Sequence, residues 1–158
     1  MKESFEIYTD GSSKGNPGPG GWAAIIFDNK KVREIAGSEK ETTNNRMEMR
    51  AAIEALKTVS ENAEVQIHTD SEYLMKGASL WIQNWQKNNW RTKNKKAVLN
   101  QDLWVELWNE IEKREVSWNK VLGHSGHKYN ERCDALANSY ADGKKLNLYD
   151  GEIQDYKI

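Results

Sequence analysis

Cysteine is nearly missing from this chain of 158 residues, with Cys133 its single representative. An intrachain disulfide is excluded, and with it a disulfide-stapled secreted scaffold; a reducing, cytoplasmic setting is expected. No apolar run approaches the length that spans a bilayer, so no membrane partner is expected. The opening residues carry neither the basic stretch nor the apolar core of a secretory leader, and none is expected. Excess charge is missing too: 23 Lys and Arg against 24 Asp and Glu give a net charge of −1. Bulk charge therefore names no partner, and only local charge can. There is no internal repeat and no linker-like break, so a single domain over residues 1–158 is expected, long enough to enclose a core.

What is present is unevenly spread. From Lys87 to Lys96 the chain carries Lys87, Arg91, Lys93, Lys95 and Lys96 and no acid. Five of the seven tryptophans (Trp81, Trp85, Trp90, Trp104 and Trp108) fall between residues 81 and 108. A cationic, aromatic stretch of this kind suits a polyanion. For Trp81 and Trp85, four residues apart on one helical face, the alternative is packing between helices; Trp104 and Trp108 are expected in the core.

Residues 4–10 alternate, and WAAIIF and VREIAGS follow as two further strands, joined by the glycine- and proline-rich GSSKGNPGPGG and the turn DNKK. This opening reads as an antiparallel meander. TTNNRMEMRAAIEALKTV has helical periodicity with a Thr or Asn as its N-cap, and EVQIHTD is a fourth strand, parallel to its neighbour because it is reached through a helix. Short helices are expected over 71–77 and 80–88, a basic loop near 89–98, a helix in NQDLWVELWNEIEKR, a fifth strand in EVSWNKVL and a last helix in NERCDALANSYADG, ended by Gly143. Residues 144–158 offer few packing side chains and read as a flexible tail. The order βββαβ…αβα implies an α/β fold: a five-stranded mixed sheet, three antiparallel strands then parallel ones, flanked by helices.

Four acids stand out. Asp10 and Asp70 are expected at the carboxyl ends of two strands, the edge where open α/β sheets bind ligands. Glu48 shares its helical face with Ala52, Ala55 and Val59, while Arg46, Arg50 and Lys57 lie opposite. Asp134 groups with Asn138 and Ala141. Each has an ordinary reading: Asp10 can shape a turn, Asp70 can cap the next helix, and Asp134 can pair with Arg132 or Lys128. Together they suggest convergence. Two unit charges about 4 Å apart repel by about 4 kcal/mol at an effective dielectric near 20, so such a cluster needs protons or cations. Hard oxygen donors without a His or Cys cluster favour Mg²⁺ or Mn²⁺, and paired ions of this kind hydrolyse phosphodiesters.

The blocks YTDGSSKGNPGPGGWAAII, TTNNRMEMRAAIEAL, HTDSEYLMKGASLWIQNWQKNNWRTKNKKAV, NQDLW and GHSGHKYNERCDALA resemble bacterial type 1 ribonuclease H, in that family's order, from about residue 5 to 141. The resemblance implies the ribonuclease H-like fold and an endonuclease that cuts the RNA strand of RNA–DNA hybrids, leaving 5′-phosphate and 3′-hydroxyl ends. It implies two Mg²⁺ ions held by Asp10, Glu48, Asp70 and Asp134, the same four acids, with Mn²⁺ as substitute. His124 matches the loop histidine of GHSGH, which implies a role in proton transfer or in product and metal release; for His127 a structural role is preferred. Ser12, Ser13, Asn16, Asn44 and Asn45 would meet 2′-hydroxyls and the minor groove, although Asn44 and Asn45 can also serve their helix's start. Thr43 and Asn100 would grip a DNA phosphate. Residues 81–100 resemble the family's basic handle, with Trp81, Trp85, Trp90, Lys87, Lys95 and Lys96 against the hybrid. Phosphate contacts carry no sequence information, so cleavage largely independent of sequence is expected, by a monomer.

Two positions depart from the family. Glu41 stands where an Arg often helps Thr43 and Asn100, and an acid there would repel phosphate; Glu72 stands where close relatives often have Gln. Three rival readings are another two-metal nuclease or transferase on this fold, such as a transposase or integrase core, a catalytically weak hybrid-binding module, and a metal-binding structural protein. The handle and the TTNNRME block speak against the first, the intact carboxylates against the second, and the basic handle against the third.

Overall fold

The computed structural model describes residues 2–122 and 127–158. Six strands form one sheet in the order β5-β4-β1-β2-β3-β6. β1 (Ser4–Ser13), β2 (Gly18–Phe27) and β3 (Lys31–Thr42) are the antiparallel meander. β4 (Glu64–Thr69) lies parallel to β1, and β5 (Glu115–Lys120) parallel to β4. α1 (Asn44–Lys57) makes the crossover from β3 to β4, as a parallel pairing requires. After β4 come α2 (Glu72–Lys76), a π-helical turn (Gly77–Trp81), α3 (Ile82–Lys87) and α4 (Gln101–Glu112), and after β5 comes α5 (Lys128–Ala141).

The run WAAIIF is apolar throughout because β2 is covered on both faces. Ala24 and Ile26 join Ile7, Ile53, Leu56, Ile67 and Trp104 in the core beneath α1 and α4. Ala23 and Ile25, one residue out of phase, join Cys133, Leu136 and Ala137 beneath α5. α1 begins with Thr43 as its N-cap, the Thr43 hydroxyl accepting from the Arg46 N–H at 3.2 Å. Ser71, not Asp70, caps α2, its hydroxyl accepting from the Leu74 N–H at 3.1 Å. Both carboxylate-bearing stretches thus have other residues to end their helices.

Three expectations are corrected. The sheet has a sixth strand, β6 (Asp150–Glu152), paired antiparallel with β3. Residues 144–158 are accordingly anchored and not a loose tail. The anchor is Glu34 of β3, whose side chain is fully buried. Its carboxylate accepts from Arg132 Nε at 2.8 Å and Nη2 at 3.1 Å, from the Tyr149 N–H at 3.0 Å and from the Tyr156 hydroxyl at 2.6 Å. Tyr156 also stacks on Tyr129 at 6.4 Å between centroids and meets Tyr149 at 5.0 Å, so two tyrosines supply the packing area. Third, Asp10 is not the end of its strand: β1 runs on to Ser13, with Asp10 opposite Ala23 of β2.

Candidate active site and its relatives

The β1–β4 ladder stops at Tyr8 and His68. Beyond it β1 continues along β2 alone while β4 ends at Thr69, so Asp10 and Asp70 face each other where two parallel strands part. Glu48 enters this crevice from the second turn of α1. Gly11 makes that approach feasible: a Cβ there would lie 2.3 Å from the Glu48 backbone nitrogen. Asp10, Glu48 and Asp70 each offer a carboxylate oxygen, and the three oxygens lie within 4.8 Å of one another. Asp134 of α5 lines the same cavity with Asn44 and Asn130 but stands outside that tight group of three.

Among the described residues the cluster is short of positive charge and of hydrogen-bond donors. Asp10 is 4% exposed and Glu48 9%. The Asp10 carboxylate accepts from the Gly11 N–H at 2.9 Å, while Glu48 Oε1 is buried without a hydrogen-bond partner among the described residues. Burial, then the charge of Asp70, pushes the Asp10 carboxyl up to about 8, with Asp134 adding to the rise and the Gly11 N–H opposing it. Burial, then Asp10 and Asp70, raises Glu48 well above the ordinary carboxylate range. Buried polar atoms normally have partners, so an unpartnered oxygen among acids this close suits a cation as its partner. An all-oxygen donor set fits a hard divalent ion. Cys133, fully buried beside the cluster, has its thiol pushed up by burial and then by Asp10, and is no candidate nucleophile.

The other expected residues fall into groups. Ser12 and Ser13 end β1, and Asn44 Oδ1 accepts from the Ser13 N–H at 2.6 Å, so Asn44 braces this strand end and leaves capping to Thr43. Asn16, Asn45, Lys87, Lys95 and Lys96 are exposed. Trp81, 37% exposed, is the outermost of its group. Trp85 lies between it and the core, 5.7 Å from Trp81 and 5.5 Å from the buried Trp104. Trp90, expected as a free flat face, is instead half-buried against the main core, its backbone in the left-handed region at φ 62. Glu72 pairs with Lys120 at 3.4 Å and Lys76 at 3.8 Å. Arg46 donates to Asn100 Oδ1 at 3.3 Å and forks onto Asp102 at 2.9 and 2.7 Å, so a cation stands beside Thr43 and Asn100 even though Glu41 is acidic and exposed. His127 precedes α5 with its ring 5.1 Å from Tyr8. His124 lies outside the described residues.

Sequence reading passed over Asn130, which is 5% exposed and lines the cavity. The signal was available: Asn130, Asp134 and Asn138 recur every fourth residue and make one polar stripe along α5.

A sheet of this topology with acids converging at the parting of its parallel strands defines a class of metal-dependent nucleic-acid enzymes, and comparison with known proteins gives the family. The RNase H family model matches residues 2–142, and the chain belongs to that family. Ribonuclease H of Pseudoalteromonas atlantica is 51% identical over 142 residues, covering 90% of this chain and 93% of that protein. Among solved structures, LC9-RNase H1, described as a type 1 RNase H with the type 2 active-site motif, superposes with a TM-score of 0.84 at 31% identity, covering 96% of this chain and 79% of that one. LC11-RNase H1, solved in complex with an RNA/DNA hybrid, shares the fold with a TM-score of 0.64 at 23% identity over 88% of this chain and 97% of that one.

Proposed function

We propose that this protein is an endonuclease that hydrolyses the RNA strand of RNA–DNA hybrids, leaving 5′-phosphate and 3′-hydroxyl ends. The observation that carries the reading is the buried, mutually repelling carboxylate group with an orphaned Glu48 oxygen, in a chain of the RNase H family. Asp10, Glu48, Asp70 and Asp134 would hold two Mg²⁺ ions, with Mn²⁺ as substitute. When bound, such ions lower the pKa of water and stabilise the leaving oxygen of an in-line displacement.

The chain's own groups do the rest. Asp10, held by the Gly11 N–H, and the buried Glu48 present their carboxylates to the crevice. Ser12 and Ser13 at the end of β1, Asn16 in the turn after it, and Asn44 and Asn45 at the start of α1 offer hydroxyls and amides that can both donate to and accept from a 2′-hydroxyl, the group that separates RNA from DNA. Thr43 and Asn100, with Arg46 at hand, hold a phosphate of the DNA strand. His124, of the GHSGH motif, takes up a proton or aids release of products, roles open to an imidazole. In the handle Lys87, Lys95 and Lys96 supply exposed charge and Trp81 the aromatic surface, with Trp85 and Trp90 bracing it. These contacts read backbone and not bases, so cleavage is largely independent of sequence. The protein acts as a monomer of one domain, in the cytoplasm.

The test is gel analysis of end-labelled hybrids with Mg²⁺, with and without chelator, beside RNA–RNA and DNA–DNA duplexes of the same sequence. Loss of the RNA strand of the hybrid alone, abolished by chelator, is the expected result. Binding without cleavage would favour the rival reading of a hybrid-binding module.

A further inference from the structure

Asp134 is the outlying carboxylate, and the neighbour that holds it is Asn138, one helical turn on. Asn138 Nδ2 donates to Asp134 Oδ1 at 3.1 Å and to the Asp134 carbonyl at 2.9 Å. Its other end, Oδ1, accepts from the Ser12 hydroxyl at 2.6 Å, and Lys14 Nζ stands 3.5 Å away. The direction of this chain of bonds is chemically determined. The Asp134 carbonyl oxygen can only accept, so the amide nitrogen must face Asp134 and the amide oxygen is left for Ser12. Lys14 is turned also toward Asp142 at 3.5 Å, and its charge reinforces the amide oxygen's role as acceptor.

We infer that Asn138 is a positioning residue for the metal site: it fixes the rotamer of Asp134 by engaging its Oδ1, and ties that carboxylate to Ser12 at the end of β1. The inference rests on the reading of Asp134 as a metal ligand and extends it. Asp10, Glu48 and Asp70 are set by β1, β4 and α1, which pack on one another, whereas Asp134 is delivered by α5 from the other face of the sheet. An acid at the joint between two packing units needs a tie across it, and Ser12–Asn138–Asp134 is such a tie. Groups that hydrogen-bond a metal ligand from outside change metal affinity about 10–100-fold when removed. The tie also joins the strand end proposed to meet the RNA to the carboxylate proposed to hold metal, so hybrid contact at Ser12 and metal occupancy are coupled.

The experiment is titration of Mn²⁺ alone, in the absence of hybrid, followed by the paramagnetic resonance of the free ion. It compares the unaltered protein with Asn138→Ala, Ser12→Ala, the double variant and Asp10→Asn, each first shown to unfold cooperatively. Asn138→Ala is expected to weaken Mn²⁺ binding about tenfold. Ser12→Ala is expected to weaken it about threefold, the worth of one modest hydrogen bond, and the double variant no more than Asn138→Ala, because both changes cut the same chain. Asn138→Asp keeps the acceptor for Ser12 but loses the donor to Asp134, and is expected to fail as Asn138→Ala does. In cleavage assays the Asn138→Ala defect is recovered by excess Mg²⁺, which a purely structural lesion would not allow. Asn138→Ala or Asn138→Asp binding Mn²⁺ within twofold of the unaltered protein, while Asp10→Asn loses it, would overturn the inference and leave the site reading intact. Undiminished binding by Asp10→Asn would overturn the site reading and the inference with it.

Discussion

Glu34 and Glu48 are both buried glutamates, on opposite sides of one sheet, and they are treated in opposite ways. Glu34 receives four hydrogen bonds, two from Arg132 and one each from the Tyr149 N–H and the Tyr156 hydroxyl. Burial alone would raise its carboxyl, but Arg132, Tyr156 and Tyr149 outweigh it and hold the group below the ordinary range. Glu48 has one oxygen without a partner among the described residues, and burial followed by Asp10 and Asp70 drives its carboxyl well up. The first is an ion whose counter-charge is built into the chain. The second is an acid whose counter-charge, once it ionises, must come from outside. A buried charge with a complete set of partners is structural; one surrounded by its own sign marks a site.

The largest way to break the contrast is chemical. Glu48→Gln or Asp10→Asn should lower cleavage more than about a thousandfold, since loss of one preorganised electrostatic group already costs about 10²–10³ in rate. Steady-state rates on a labelled hybrid check this; cleavage within tenfold of the unaltered protein would remove these acids from the site.

The reverse change acts on folding. Glu34→Ala leaves the Arg132 guanidinium without its partner and should cost about 3 kcal/mol, the lower end for a broken buried pair because Arg132 is 28% exposed. Urea unfolding measures it, and activity at low temperature should persist.

Smaller still is the pH response without metal. A carboxyl raised in the folded state holds its proton more tightly there than in the unfolded chain. Its favourable contribution is complete below the ordinary value and is lost as pH rises through the folded one. For Asp10 that window runs from 3.8 to about 8. Glu34, lowered in the folded state, acts in the opposite sense: its contribution is present above the ordinary range and is lost as pH falls through its lowered value. Metal-free thermal stability should therefore decline from mildly acid to mildly alkaline pH, and the protection given by Mg²⁺ should grow over the same interval. A Mg²⁺ increment independent of pH would contradict the assigned repulsion. Smallest is Tyr156→Phe, which removes one hydrogen bond to the Glu34 carboxylate and should cost about 1.5 kcal/mol, measured by the same unfolding.

The two glutamates also show what was legible in the sequence. Glu48 was visible as an acid on an apolar helical stripe, and Asp10 and Asp70 as acids after apolar strands, because those signals are periodic and local. Glu34 carried a comparable signal, an acid between Val32 and Ala36 on the covered side of β3, but its partners are Arg132 and two residues beyond α5. Only tertiary structure joins them, so the tail read as loose and β6, three residues without alternation, went unseen. Asp10 was assigned to a strand end because glycine and proline follow it, yet β1 continues to Ser13 along β2 before a turn over 14–17. In the handle, composition identified exposed lysines correctly, but not that the left-handed backbone at Trp90 turns its ring toward the core.

The most direct measurement is thermal unfolding of Glu48→Gln and Glu34→Gln, side by side, in chelator at pH 8. The contrast predicts opposite signs: Glu48→Gln relieves repulsion and raises Tm by a few degrees, about 1 kcal/mol at this size, while Glu34→Gln weakens the Arg132 pair and lowers it. If Glu48→Gln lowers Tm as far as Glu34→Gln does, Glu48 is a satisfied structural acid, and the claim that the crevice is built to receive cations fails.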